Sequence, residues 1–69
     1  MTMDTTPAVF IQDSTADRVA ANMVGQKGIV AYRLFPHKLR GAMQGWKVAL
    51  RDHRGQLEFL TNDAFEAAQ

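Results

Sequence analysis

The chain has 69 residues and a mass of 7.7 kDa, with eight Lys or Arg against seven Asp or Glu and no cysteine. That length holds one small domain, whose folded surface should be roughly 4,300 Å², with only about 60% of the extended chain's surface hidden. Absence of thiols excludes disulfides and cysteine-containing metal sites. No apolar run approaches the roughly 20 residues needed to cross a bilayer, so a soluble, cytoplasmic protein without membrane association is expected.

Residues 1–7, MTMDTTP, are polar and lack helical or strand periodicity, so they read as a flexible N-terminal tail ahead of a single domain over residues 8–69. Ala8 to Gln12 reads as a short strand with Val9 and Ile11 on one side and Ala8 and Phe10 on the other. Ser14 and Asp17 have the S-x-x-D form of a capping box, which predicts a helix starting at Ser14. Its apolar stripe comprises Ala16, Val19, Ala20, Met23 and Val24, and Gly25 or Gly28 would end it.

Gly28 to Pro36 reads as a strand with Val30, Tyr32 and Leu34 on the core face, ended by a proline that has no N–H for a ladder. His37 to Gly45 contains two glycines and is expected to be a flexible basic loop with a short turn inside. Trp46 to Asp52 alternates Trp46, Val48 and Leu50 against Lys47, Ala49 and Arg51, the pattern of a strand with one buried and one wet face. Asp52 opens a type I turn, Gly55 tolerates positive φ, and Gln56 to Leu60 returns as the second strand of a hairpin. Thr61 or Asn62 then caps a final short helix that lays Phe65 and Ala68 on the sheet. The expected fold is α+β: a small, mostly antiparallel sheet of three to four strands with two short helices, in the order strand-helix-strand-strand-strand-helix, the helices on one face. A first strand joining in parallel would need a right-handed crossover through the first helix.

Charge is unevenly distributed along this chain. Residues 1–17 carry three acids and no base, residues 18–54 carry all eight bases and only Asp52, and residues 55–69 carry three acids and no base. The middle is therefore +7 and each end −3, a field that steers an acidic partner, either an acidic protein surface or nucleic acid. Arg33, Lys38, Arg40, Lys47, Arg51 and Arg54 are the candidate macromolecule-binding residues, since strand and loop bases grip phosphate oxygens. Trp46 is the candidate aromatic contact if exposed; Trp46 and Tyr32 also serve as core in a chain with few bulky side chains.

Other chemistries find little support. His37 and His53 stand 16 residues apart with no third ligand converging on them, so no metal site is proposed. Ser14 is better used as a cap than as a nucleophile. Asp52 and Glu58 as paired carboxylates would need a pocket that a domain this small hardly encloses. The glycines match neither phosphate-loop nor dinucleotide patterns. No catalytic residue, cofactor or small-molecule ligand is expected. Ten of the apolar residues are alanine, so the core is thin, and a homodimer would relieve the shortage.

Residues 45–68, GWKVALRDHRGQLEFLTNDAFEAA, resemble the terminal hairpin and short helix of small accessory proteins encoded by phages and mobile elements. The resemblance carries over no functional residue. It implies a compact non-enzymatic protein that binds a host macromolecule, such as a nucleic-acid-processing complex. The expected function is a binding module whose basic centre docks on an acidic partner, with direct nucleic-acid binding, or a structural role in a homo-oligomer or larger assembly, as alternatives.

Overall fold

The computed structural model describes residues 5–68, which form β1 (Val9–Phe10), α1 (Asp13–Met23), β2 (Ile29–Leu39), β3 (Ala42–Asp52), β4 (Leu57–Phe59) and α2 (Asn62–Ala67). This is a small α+β domain with a four-stranded antiparallel sheet and the expected element order. β3 is central. β2 pairs with it along one edge, and the other edge is shared end to end by β1, opposite residues 46–47, and β4, opposite residues 49–51. The four strands therefore make a sheet three strands wide. β1 and β2 are both antiparallel to β3 and so parallel to each other, and α1 carries the chain across one face of the sheet from one edge to the other, a crossover with β3 left in between.

The junction between β1 and β4 lies at Val48. Leu60 N–H donates to the Val48 carbonyl at 2.8 Å, and Ala8 N–H donates to the Leu60 carbonyl at 2.8 Å. Asn62 N–H donates to the Thr6 carbonyl at 3.0 Å, beside an antiparallel bridge between Pro7 and Thr61. Val48, Leu60 and Ala8 are at most 2% exposed. Backbone pairing thus begins at Thr6, ahead of the expected start at Ala8; residues 1–4 of the expected tail lie outside the described residues.

The core occupies one face of the sheet. Trp46, Val48 and Leu50 of β3, Tyr32 and Leu34 of β2 and Phe10 of β1 meet Ala16, Val19, Ala20 and Met23 of α1. The alternation read in β3 and the stripe read in the helix are both present, except that Val24 falls beyond α1 and is exposed. Alanines at the fully buried positions 16 and 20 let the helix backbone approach the sheet closely. α2 lies over the same face, where Phe65 packs edge-on against Phe10 with ring centres 5.1 Å apart. Its first turn is capped by Thr61, whose hydroxyl accepts from Ala64 N–H at 3.2 Å.

Four local expectations are corrected. The Ser14 cap does not form: α1 starts one residue earlier, its N-cap is Gln12, and no side chain caps it. Asp17, instead of reaching back to the helix start, accepts a hydrogen bond from the Tyr32 hydroxyl at 2.5 Å and ties α1 to β2. Pro36 does not end β2, which runs on to Leu39; β2 is an edge strand, where a missing N–H can point to solvent. Val30 is not core: the pairing shifts between Ile29 and Ala31, so Val30 is the extra residue of a bulge, 52% exposed, and Ile29 packs on the core instead.

Residues 37–45 are not a flexible loop but the distal part of the β2–β3 hairpin. The turn between the paired residues Leu39 and Ala42 holds Arg40 at φ 52° and Gly41 at φ 79°. Two consecutive positive φ values define the type I′ geometry that suits strand twist. The second hairpin follows expectation: Gly55 N–H donates to the Asp52 carbonyl at 3.0 Å, and Asp52 Oδ1 accepts from Arg54 N–H and Gln56 N–H at 2.9 and 3.0 Å.

Two tests follow from this geometry. β1 passes so close to Gly45 that a Cβ there would lie 2.6 Å from the Phe10 carbonyl oxygen and 2.7 Å from Val9 Cγ1. Since a backbone atom must give way, Gly45→Ala should cost about 1–3 kcal/mol of stability, read as a lower denaturant midpoint. The Tyr32 phenol is held above its ordinary 10.0 by the hydrogen bond to Asp17, reinforced by desolvation and by the carboxylate's charge. A group whose pKa rises on folding stabilises fully below its unfolded value and loses that contribution as pH climbs through the folded value. The stability margin of the wild type over Tyr32→Phe should be full at neutral pH and shrink above pH about 10; a pH-independent margin would exclude the linkage.

Candidate functional site

The alternation that buries Trp46, Val48 and Leu50 places Lys47, Ala49 and Arg51 on the opposite face of β3. Their partners in register on that face are Ala31, Arg33 and Phe35 of β2, Leu57 and Phe59 of β4, and Val9 of β1. Both helices lie on the other side, so this face stays open.

At its centre two rings meet over a small residue. Phe35 and Phe59 project from the strands on either side of β3, and their ring centres stand 5.8 Å apart at 77°. Ala49, between them, is 3% exposed, and its small side chain leaves room for the rings to approach. Phe59 itself is 42% exposed and Leu57 beside it 61%. The rings, Ala49, Leu57 and Glu58 line a shallow depression of about 140 Å³.

Each ring carries a cation. The Arg33 guanidinium lies 5.3 Å from the centre of Phe35, and Lys47 Nζ lies 4.9 Å from that of Phe59. At exposed positions such contacts are worth about 0.5–1 kcal/mol, enough to orient the side chains and little enough to release them. Arg51, exposed and opposite Leu57, adds a third base to the same face. Glu58, between Leu57 and Phe59, lines the depression as well but pairs in register with Leu50 and so has the parity of the helix face.

The candidate residues divide in space. Arg33, Lys47 and Arg51 share the open face. Lys38 and Arg40 stand at the far end of the β2–β3 hairpin, beside the exposed Leu39 and Met43. Arg54 sits in the β3–β4 turn, at the opposite end of β3. Trp46 lies half-buried on the helix face, packed against the core, so it shares no surface with Lys47. Tyr32 is on the helix face as well, its hydroxyl engaged by Asp17. The aromatic members of the patch are instead Phe35 and Phe59. Strand parity with Arg33 would have found Phe35; Phe59 needed the register of β4 on β3.

The charge order along the chain becomes an order in space. Four of the six acids of the two ends, Asp13 and Asp17 on α1 and Asp63 and Glu66 on α2, sit in the helical layer with Arg18, while three of the central bases occupy the opposite face. The surface is 5218 Å², well above the roughly 4,300 Å² of a compact chain of this mass. Eight large apolar side chains are exposed among the described residues, with Val9, Leu57 and Phe59 on the open face.

A larger groove of about 200 Å³ separates α1 from α2, lined by Val19, Asn22, Met23, Gln26, Phe65 and Ala68. It bears no charged side chain and offers nothing to an ionic partner. His37 on β2 and His53 in the β3–β4 turn lie at opposite ends of the hairpin, and among the described residues no three His, Asp or Glu side chains gather as a metal site. No helix of the described residues is long and apolar enough to cross a membrane. No protein-family model, curated protein or solved structure matches this chain.

Proposed function

We propose that this protein is a non-enzymatic binding module that docks on an acidic macromolecular surface through the open face of its sheet. The observation that carries the reading is the convergence of Arg33, Lys47 and Arg51 on one uncovered face that also bears exposed apolar surface, with the acids of α1 and α2 on the other side. Bases clustered on one face steer a polyanion during encounter, and the dipolar layout orients the molecule before contact. Apolar side chains among the bases then contribute affinity that salt does not screen. Lys38 and Arg40 on the projecting hairpin extend the positive surface in one direction, and Arg54 extends it in the other.

Retention on a heparin column against a salt gradient tests this reading. The triple variant Arg33→Gln, Lys47→Gln, Arg51→Gln should elute near the void, whereas Arg18→Gln, which neutralises a base in the helical layer, should elute close to wild type. Equal retention of the triple variant and the wild type would remove the open face from the function.

A further inference from the structure

Resting on the reading of the open face as a polyanion-binding surface, we infer that its occupant is a single-stranded nucleic acid, whose unpaired bases stack on Phe35 and Phe59 while Arg33, Lys47 and Arg51 hold the phosphates. Charge alone does not distinguish a nucleic acid from an acidic protein; the rings favour the nucleic acid. A carboxylate-rich protein surface offers the bases of this face their counter-charge, but it places a flat π surface on two aromatic rings only where it also carries aromatic side chains. Every nucleobase has one, and stacking on aromatic side chains from a sheet is tolerant of sequence.

Geometry favours a single strand over a duplex. In a duplex the base faces are already stacked on each other, and a protein reaches the base edges by inserting a helix or a narrow ribbon into a groove. Phe35 and Phe59 stand on the strands at either edge of a sheet three strands wide and meet over its central strand β3, on a broad face and not on a narrow element that enters a groove. Only bases splayed out of a helix can lie on them.

The cations are placed for the same ligand. Arg33 and Lys47 hover 5.3 and 4.9 Å from the ring centres, within reach of the phosphate of a nucleotide whose base takes the ring. Both are long, flexible side chains in weak exposed contacts, so an arriving base displaces the cation from the ring, and the cation moves onto the phosphate. Exposed Leu57 and Val9 widen the apolar floor along the track of the strand. The rings stand on different strands and tilt at 77° to one another, so they accept bases turned away from the regular stack, as a flexible single strand allows.

The test is a fluorescence-anisotropy titration at fixed low salt. The probes are a labelled oligothymidylate of about ten nucleotides, a span within the usual site sizes for such surfaces, an abasic phosphodiester strand of the same length, and a duplex of that length. Wild type should bind the oligothymidylate at least tenfold more tightly than the abasic strand or the duplex. Phe35→Leu and Phe59→Leu, which keep the apolar volume of the face, should each weaken the oligothymidylate on the order of tenfold and leave the abasic strand unchanged. Phe59→Trp should restore binding and add quenching of its own fluorescence by the stacked base. Circular dichroism of each variant confirms the fold.

Equal affinity for the oligothymidylate and the abasic strand, binding of the duplex as tight as of the single strand, or indifference to both leucine variants would each overturn the stacking inference. Retention on heparin with no affinity for any of the three strands would overturn it while leaving the acidic-surface reading standing. Absence of binding to heparin and to all three strands would overturn both.

Discussion

Strand β3 has backbone partners on both edges, and the packing of the domain depends on the way its second edge is divided. A strand edge long enough for one partner is occupied by two short segments from opposite ends of the chain, β1 and β4, which meet at Val48. Two- and three-residue strands have too few ladder bonds to hold on their own. They are held because the residues where they diverge, Ala8 and Leu60, bond to each other and bury their side chains with Val48 in the core. Gly45 is part of the same arrangement, since only a residue without Cβ lets the β1 backbone pass at that distance.

Once β3 is fixed in this way, its alternation assigns the two faces of the domain. Trp46, Val48 and Leu50 meet the helices, and Val48 and Leu50 form with Ala8, Phe10, Ala16, Ala20 and Leu60 a thin core that holds every buried apolar side chain of the described residues except Ala49. Among the described residues no second layer covers Lys47, Ala49 and Arg51, and the large apolar residues outside the core are scattered over strands and turns with no third helix to carry them there. The open face is thus a direct consequence of a short chain with many alanines. Aromatic rings on that face are solvent-exposed at a cost, and they are stabilised there by each other and by the cations lying over them.

Charge follows the same division. Asp13, Asp17, Asp63 and Glu66 from the two ends of the chain lie on helices on one side of the sheet, and every base except Arg18 lies on a strand or turn. An open sheet face of this kind is not a pocket. It uses the regular spacing of a sheet, which sets neighbouring side chains close enough for one ligand to touch several strands at once.

Much of this was determined by residue order. The alternation in WKVALRD, the three- and four-residue stripe from Ala16 to Met23 and the DHRG turn are local signals, and local signals are enough for element type, order and the choice of core face. The charge asymmetry was likewise present in the residue order. Local signals failed where a non-local partner decided. Pro36 remains in a strand because β2 happens to lie at an edge, and Arg40 adopts a left-handed turn because paired strands on both sides demand it. Val30 turns outward because a bulge changes the parity of β2 ahead of Ala31, and Ser14 leaves the cap because the helix is positioned by its packing and by the Tyr32–Asp17 bond. The open face itself belongs to this second group. Arg33 and Phe35 share parity along one strand, but only the register of β4 against β3 brings Phe59 to Phe35, and contacts between residues 24 apart in the chain are set by tertiary pairing, which composition and periodicity do not encode.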